Sequence, residues 1–119
     1  MQPNTVIHAL TATVEHQPVP TGQNLGGDPH AGITELARFG GLEVGIWEMT
    51  PGVMGDTEAD ELFVVLCGSA VVEFHDGTAA LELGPGDVVR LANGAQTRWT
   101  VTQTLRKVYL SEPGPDSAH

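Results

Sequence analysis

Basic side chains are scarce. The 119 residues hold five Lys and Arg against fifteen Asp and Glu, a formal net charge of −10. Phosphate contacts need cations, so no nucleic-acid partner is expected. The same deficit argues against anionic membrane surfaces. The acidity reads first as a solubility device. Cysteine is nearly absent: Cys67 alone allows neither an intramolecular disulfide nor a cysteine-based zinc motif. It lies in an apolar stretch and is expected to be a buried, inert thiol. No apolar run approaches the length of a membrane span. The first residues show no charged region followed by an apolar block, so a cytoplasmic protein is expected. Helical periodicity is missing as well, while fifteen Gly and eight Pro punctuate the chain.

What is present is a series of short β patterns sized for one domain. Residues 1–33 read as an N-terminal arm and loop, in which Val6 to Leu10 forms a short strand able to add to a sheet edge. Gln17 to Pro29 is rich in Pro and Gly and reads as loop. Thr34 to Phe39 is a strand, Gly40-Gly41 a turn, and Leu42 to Met49 an alternating strand with Glu43, Gly45, Trp47 and Met49 on one face. Val53 to Asp60 reads as an acidic connection. Leu62 to Cys67 is apolar on both faces, which implies another layer outside it. Phe63, Val65 and Cys67 share a side with Glu61, and Leu62, Val64 and Leu66 form the opposite stripe. Asp76-Gly77 is a two-residue hairpin signal. Two further strands follow, around Gly94 to Val101 and Leu105 to Leu110. Residues 34–112 thus form an all-β barrel, and 113–119 a disordered tail.

Two spacings carry a family resemblance. Glu61 is followed after six residues by Gly68. Gly86 is followed after five residues by Ala92-Asn93-Gly94. These match the end of the first cupin motif and the body of the second, so the chain resembles the cupin superfamily over Gly40 to Leu110. Trp47, Pro51-Gly52, Asp60-Glu61, Gly86-Asp87, Trp99 and Arg106-Lys107 resemble the subfamily of (S)-ureidoglycine aminohydrolase and ethanolamine-utilisation Q-type cupins. The resemblance implies a double-stranded β-helix, the cupin jelly-roll barrel. It also implies a metal site of three His and one Glu. Here the His positions fall on Gly55 and Thr57, or on Met54 and Asp56, and the second-motif His on Thr97. Of the four ligands only Glu61 is present, so no tightly bound cofactor is expected, and at most weak divalent-cation binding.

Glu61 is expected to face the barrel interior, where a carboxylate needs a partner or a raised pKa. Lys107, Arg98, or the hydroxyls of Tyr109 and Thr97 are the candidate partners. The candidate catalytic set is Glu61, Lys107 and Tyr109, and Trp47, Phe63, Thr97 and Trp99 line the candidate pocket. Asp56, Glu58, Asp60 and Glu61, with Gln96, form a competing oxygen-ligand set suited to Mn, Mg or Ca, against which stands a plain solvated loop. The expected function is a cupin with a small-molecule pocket for a small polar metabolite. The alternatives are a carboxylate-metal enzyme acting on a small nitrogen-containing metabolite, and a non-catalytic sensing or interaction module. The outward stripe of Leu62, Val64 and Leu66 predicts a homodimer.

Overall fold

The computed structural model describes residues 1–113, and the expected tail lies outside them beyond Pro113. Nine strands follow in order: β1 (Gln17–Pro18), β2 (Asn24–Gly26), β3 (His30–Phe39), β4 (Leu42–Met49), β5 (Gly52–Thr57), β6 (Glu61–Phe74), β7 (Leu81–Leu83), β8 (Val88–Leu91) and β9 (Gln96–Ser111). All pairings are antiparallel, and they run β1-β3-β4-β9-β5-β2, with β6 joining β9 to β7 and β8. No helix among the described residues is long and apolar enough to cross a membrane.

The two longest strands are the spine. β9 pairs with β6 from Thr97 to Ser111, with β5 through its first half and with β4 through its second. To stay in register over that length β6 must bend, and the ladder shifts between Val65 and Ala70. Gly68 sits in the shift with φ +93, and a Cβ there would collide with the Thr104 carbonyl. Only glycine meets both demands. The shift also corrects one expectation: Cys67 is exposed, not buried, because the bulge after Val65 breaks the alternation that would have turned it inward.

Alternation holds elsewhere. Phe63, Val65, Trp99, Val101, Leu105 and Tyr109 point into one core with Met49, Met54, Val72, Leu83, Val89 and Leu91. Val19, from the loop between β1 and β2, closes the same cluster. Two further departures matter. The expected connection Val53 to Asp60 is mostly strand β5, because pairing on both sides, to β9 and β2, overrides the poor strand propensity of Gly55 and Asp56. Pairing of β6 with β7 stops at Val72–Leu81, so Asp76-Gly77 is the tip of a longer loop, fixed by the Thr78 amide donating to Asp76 Oδ1 at 2.9 Å.

The N-terminal arm is not an edge strand. It lies against the outer side of the sheet, with its backbone satisfied by side chains. Arg106 Nη1 donates to the carbonyls of Ala9 and Ala12 at 2.8 and 2.7 Å, and Thr34 Oγ1 donates to the Thr13 carbonyl at 2.8 Å. Arg106 Nε also binds Glu48 Oε2 at 2.6 Å, and His16 Nε2 meets Glu48 Oε1 at 2.7 Å. At Gly32 the arm comes so close that a Cβ would strike the Glu15 carbonyl. Below the arm, β3 starts at His30, four residues ahead of the expected Thr34.

Arg106 is 8% exposed, so removing it leaves Glu48 with His16 alone and two arm carbonyls unpaired. Arg106→Ala is expected to lower unfolding free energy by about 2–4 kcal/mol in urea titrations. Limited proteolysis of the folded variant should then cut within the first sixteen residues before anywhere else.

Candidate functional site

The site is built on the inner face of β9, where Thr97, Trp99, Lys107 and Tyr109 are all buried. Lys107 lies between Trp47 of β4 and Val65 of β6 in the ladder, and Tyr109 between Gly45 and Phe63. Lys107 is 5% exposed, which for an ammonium demands compensation. Glu61, at the first position of β6, supplies it, with Oε2 at 2.9 Å from Nζ. Three ring faces supply the rest. Nζ stands 4.1 Å from the centroid of Phe63 and 4.7 Å from those of Trp47 and Trp99. The rings also hold one another, Trp99 being 5.5 Å from Trp47 and 5.8 Å from Phe63. Each such cation–ring contact contributes about 0.5–2 kcal/mol when desolvated.

A second buried acid backs this group. Glu58 follows β5 and is 7% exposed. Its Oε2 accepts from Thr97 Oγ1 at 2.6 Å and from Trp99 Nε1 at 2.9 Å. Its backbone is fixed to the turn before β9, donating to the Ala95 carbonyl and accepting from the Gly94 amide. Asp60 grips the same turn, accepting from the Asn93 amide and from Arg90, both at 3.0 Å. Those two bonds hold the Asp60 carboxyl below the usual carboxylate range. Trp99 therefore links the two acids: its indole N–H binds Glu58, and its ring faces the ammonium that binds Glu61.

Asp56, two residues before Glu58, pairs with Thr97 in the ladder. Burial, then the charge of Glu58, pushes its carboxyl up to about 6, against the lowering pull of the Thr57 amide and Lys107. Tyr109 is turned elsewhere. Its hydroxyl donates to Glu43 Oε2 at 2.6 Å, and burial with this bond pushes its pKa up.

Among the described residues no hydrogen bond reaches Glu61 Oε1, Glu58 Oε1 or Asp56 Oδ2. Among the described residues no fully enclosed side-chain N or O atom lacks a partner, so these oxygens keep some access to solvent. Open surface grooves also border the described residues. One of about 440 Å³ runs along residues 80–83 and 87–90. Another, about 310 Å³, borders Asp56 and Thr97 beside Gln23, Leu25, His75 and Gln96. Neither is lined by Glu61, Lys107, Trp47, Phe63 or Trp99.

The family model for the EutQ-like cupin domain matches residues 36–109. The chain belongs to the EutQ-like cupin family. Its curled antiparallel sheet is the cupin double-stranded β-helix, as expected from the motif spacing. A DUF861-family protein of unknown function from Pseudomonas syringae pv. tomato is similar at 26% identity and TM-score 0.72, over 84% of this chain and 44% of that one. The chain thus spans under half the length of that relative. EutQ of Clostridium difficile is similar at 18% identity and TM-score 0.70, over 89% and 84%. A cupin-superfamily protein from Desulfitobacterium hafniense follows at 17% and 0.56, over 68% and 75%. No curated protein matches the chain.

In this EutQ-like cupin the expected partner choice for Glu61 resolves to Lys107. Trp47, Phe63 and Trp99 surround that pair. Thr97 joins through Glu58, and Tyr109 lies beside Lys107 on β9 with its hydroxyl on Glu43. Glu58 is the residue sequence reasoning left in an acidic connection. The period-two run Met54, Asp56, Glu58 was the signal, since Met54 is core. Tested against a metal, the donor set does not fit. The motif positions hold Gly55 and Thr57, or Met54 and Asp56, together with Thr97 and Glu61, and Glu61 is bound to an ammonium. Among the described residues no three His, Cys, Asp or Glu side chains are placed to hold a metal ion.

Asp56 gives a pH test. Its raised value means the folded chain holds this proton more tightly than the unfolded chain. The stability it contributes is full below about 3.8 and is lost as pH rises through about 6. Asp56→Asn keeps an oxygen for the Thr57 amide and carries no charge. By chemical denaturation it should exceed the native protein by about 1–2 kcal/mol near neutral pH, and the difference should vanish near about pH 4.

Proposed function

We propose that this domain holds a small polar metabolite inside the barrel, at Glu61, Lys107 and the half-buried Trp47, without a tightly bound transition metal. The observation that carries the reading is the buried Glu61–Lys107 pair ringed by Trp47, Phe63 and Trp99 inside an otherwise apolar barrel, with Trp47 still partly exposed. A buried ion pair often contributes little over a well-packed apolar replacement, so stability alone is a weak reason for one here, and a polar ligand is a stronger one. Glu61 serves as acid, base or hydrogen-bond acceptor toward the ligand, with Lys107 holding its Oε2 in place and Tyr109 stiffening the wall through Glu43.

The test is a titration of isotopically labelled protein with a panel of ureido, amino and hydroxy acids. A binder is expected to move the indole N–H signals of Trp47 and Trp99 first. Unmoved indole signals across the panel would reject the pocket. The competing reading is a divalent-metal enzyme acting on a small nitrogen-containing metabolite through carboxylate ligands, and it would need Asp56 and Glu58 to leave their present arrangement, in which no three such side chains among the described residues are placed to hold an ion. The two separate cleanly, because a bound ion stabilises the folded state and an absent one cannot. Under the first reading EDTA leaves the melting temperature unchanged, and a drop reversed by Mn or Mg promotes the second.

The same reading includes a homodimer. The outer face of β6 and β8 shows Leu62 at 41% and Val88 at 65% exposure, continuous through Val64 with Val108 on β9. Light scattering at micromolar concentration is expected to give twice the chain mass, and Leu62→Glu to halve it. A monomeric mass for the unmodified chain contradicts the dimer.

A further inference from the structure

The surroundings of the Lys107 ammonium are those of a receptor. A carboxylate oxygen lies at 2.9 Å and three ring faces at 4.1–4.7 Å, a constellation that recognises alkylammonium ions by charge and ring quadrupole together. Lys107 is the chain's one lysine. It reaches this place on a flexible four-carbon stem, so its charged end is tethered without being fixed there by the backbone. The enclosure is incomplete: Trp47 is only half-buried, and Glu61 Oε1 is without a protein partner among the described residues. The field inside favours cations. Glu61 bonds Lys107, and the charges of Glu58, Glu61 and Lys107 all reach Asp56, so three carboxylates share this region with one ammonium. An anionic ligand would enter against two further carboxylates, whereas an ammonium would not.

We propose that Trp47, Phe63, Trp99 and Glu61 form a binding site for primary alkylammonium groups, which the chain fills with its own Lys107 and which a ligand of that class enters by exchange with that side chain. This deepens the pocket reading by naming a ligand class and a built-in competitor. The tether gives Lys107 an effective concentration in the millimolar range, so the native protein binds a simple amine weakly.

Calorimetric titration with n-butylammonium chloride at constant ionic strength tests this, using sodium butyrate and 1-butanol as controls. Lys107→Ala is expected to bind butylammonium at least about tenfold more tightly than the native protein, since the tethered competitor is gone. It should prefer butylammonium to either control by about tenfold, and Glu61→Gln in the same background should remove that preference. A folded Lys107→Ala that takes butanol as well as butylammonium overturns the proposal. If Lys107→Ala does not fold, the native protein decides. A saturable change in tryptophan emission with butylammonium and none with butyrate supports the exchange; unchanged emission overturns it. A metabolite acid that shifts the Trp47 and Trp99 signals while butylammonium shifts neither would uphold the pocket and defeat this assignment.

Discussion

One ammonium inside a β-barrel sets the terms for everything around it. Lys107 is 5% exposed, and an isolated charge in that position would cost several kcal/mol. Its pairing with Glu61 and its three ring contacts offset that cost, and both depend on backbone position. Trp47 must come from β4, Phe63 and Glu61 from β6, and Trp99 from the other half of β9. A one-residue slip in any of these pairings would turn a ring or the acid to the far face. The register of the spine strands and the compensation of the charge are therefore one constraint.

That constraint explains features remote from the ammonium. The bulge at Gly68 lets β6 follow β9 at both ends, so that Phe63 and Val72 can both face inward. Glu58 fixes the tilt of Trp99 through its indole N–H, and the turn at Gly94-Ala95 fixes Glu58. On the outer side, Arg106 is next to Lys107 in sequence and opposite in direction. It holds Glu48 and the arm as Lys107 holds Glu61 and the rings. Two adjacent cations on one strand thus organise the two faces of the sheet separately.

Much of this was legible in the sequence. The spacings Glu61 to Gly68 and Gly86 to Gly94 indicated the barrel, and the alternation of Leu42 to Met49 gave β4 with both its ends. Glu61, Phe63 and Val65 faced inward as their alternation required. What escaped was decided by contacts distant in the chain. Strand β5 is poor in strand formers and rich in Gly and acid, and only pairing with β9 and β2 makes it a strand. Glu58 therefore reads from the sequence as part of an acidic connection, either an oxygen-ligand set or a solvated loop, and its bonds to Thr97 and Trp99 do not show there. Cys67 was misplaced because a bulge cannot be read from period-two alternation alone. The arm was misplaced because the partner of its carbonyls, Arg106, lies about a hundred residues later.

The most direct test of the central claim is the coupling between Glu61 and Lys107, measured by urea unfolding of Glu61→Gln, Lys107→Met and the double variant. If the ion pair compensates a buried charge, each single change strands its partner and costs about 2–4 kcal/mol, while the double change costs clearly less than their sum. Strictly additive losses, or a Lys107→Met as stable as the native chain beside an intact Glu61, would contradict the account.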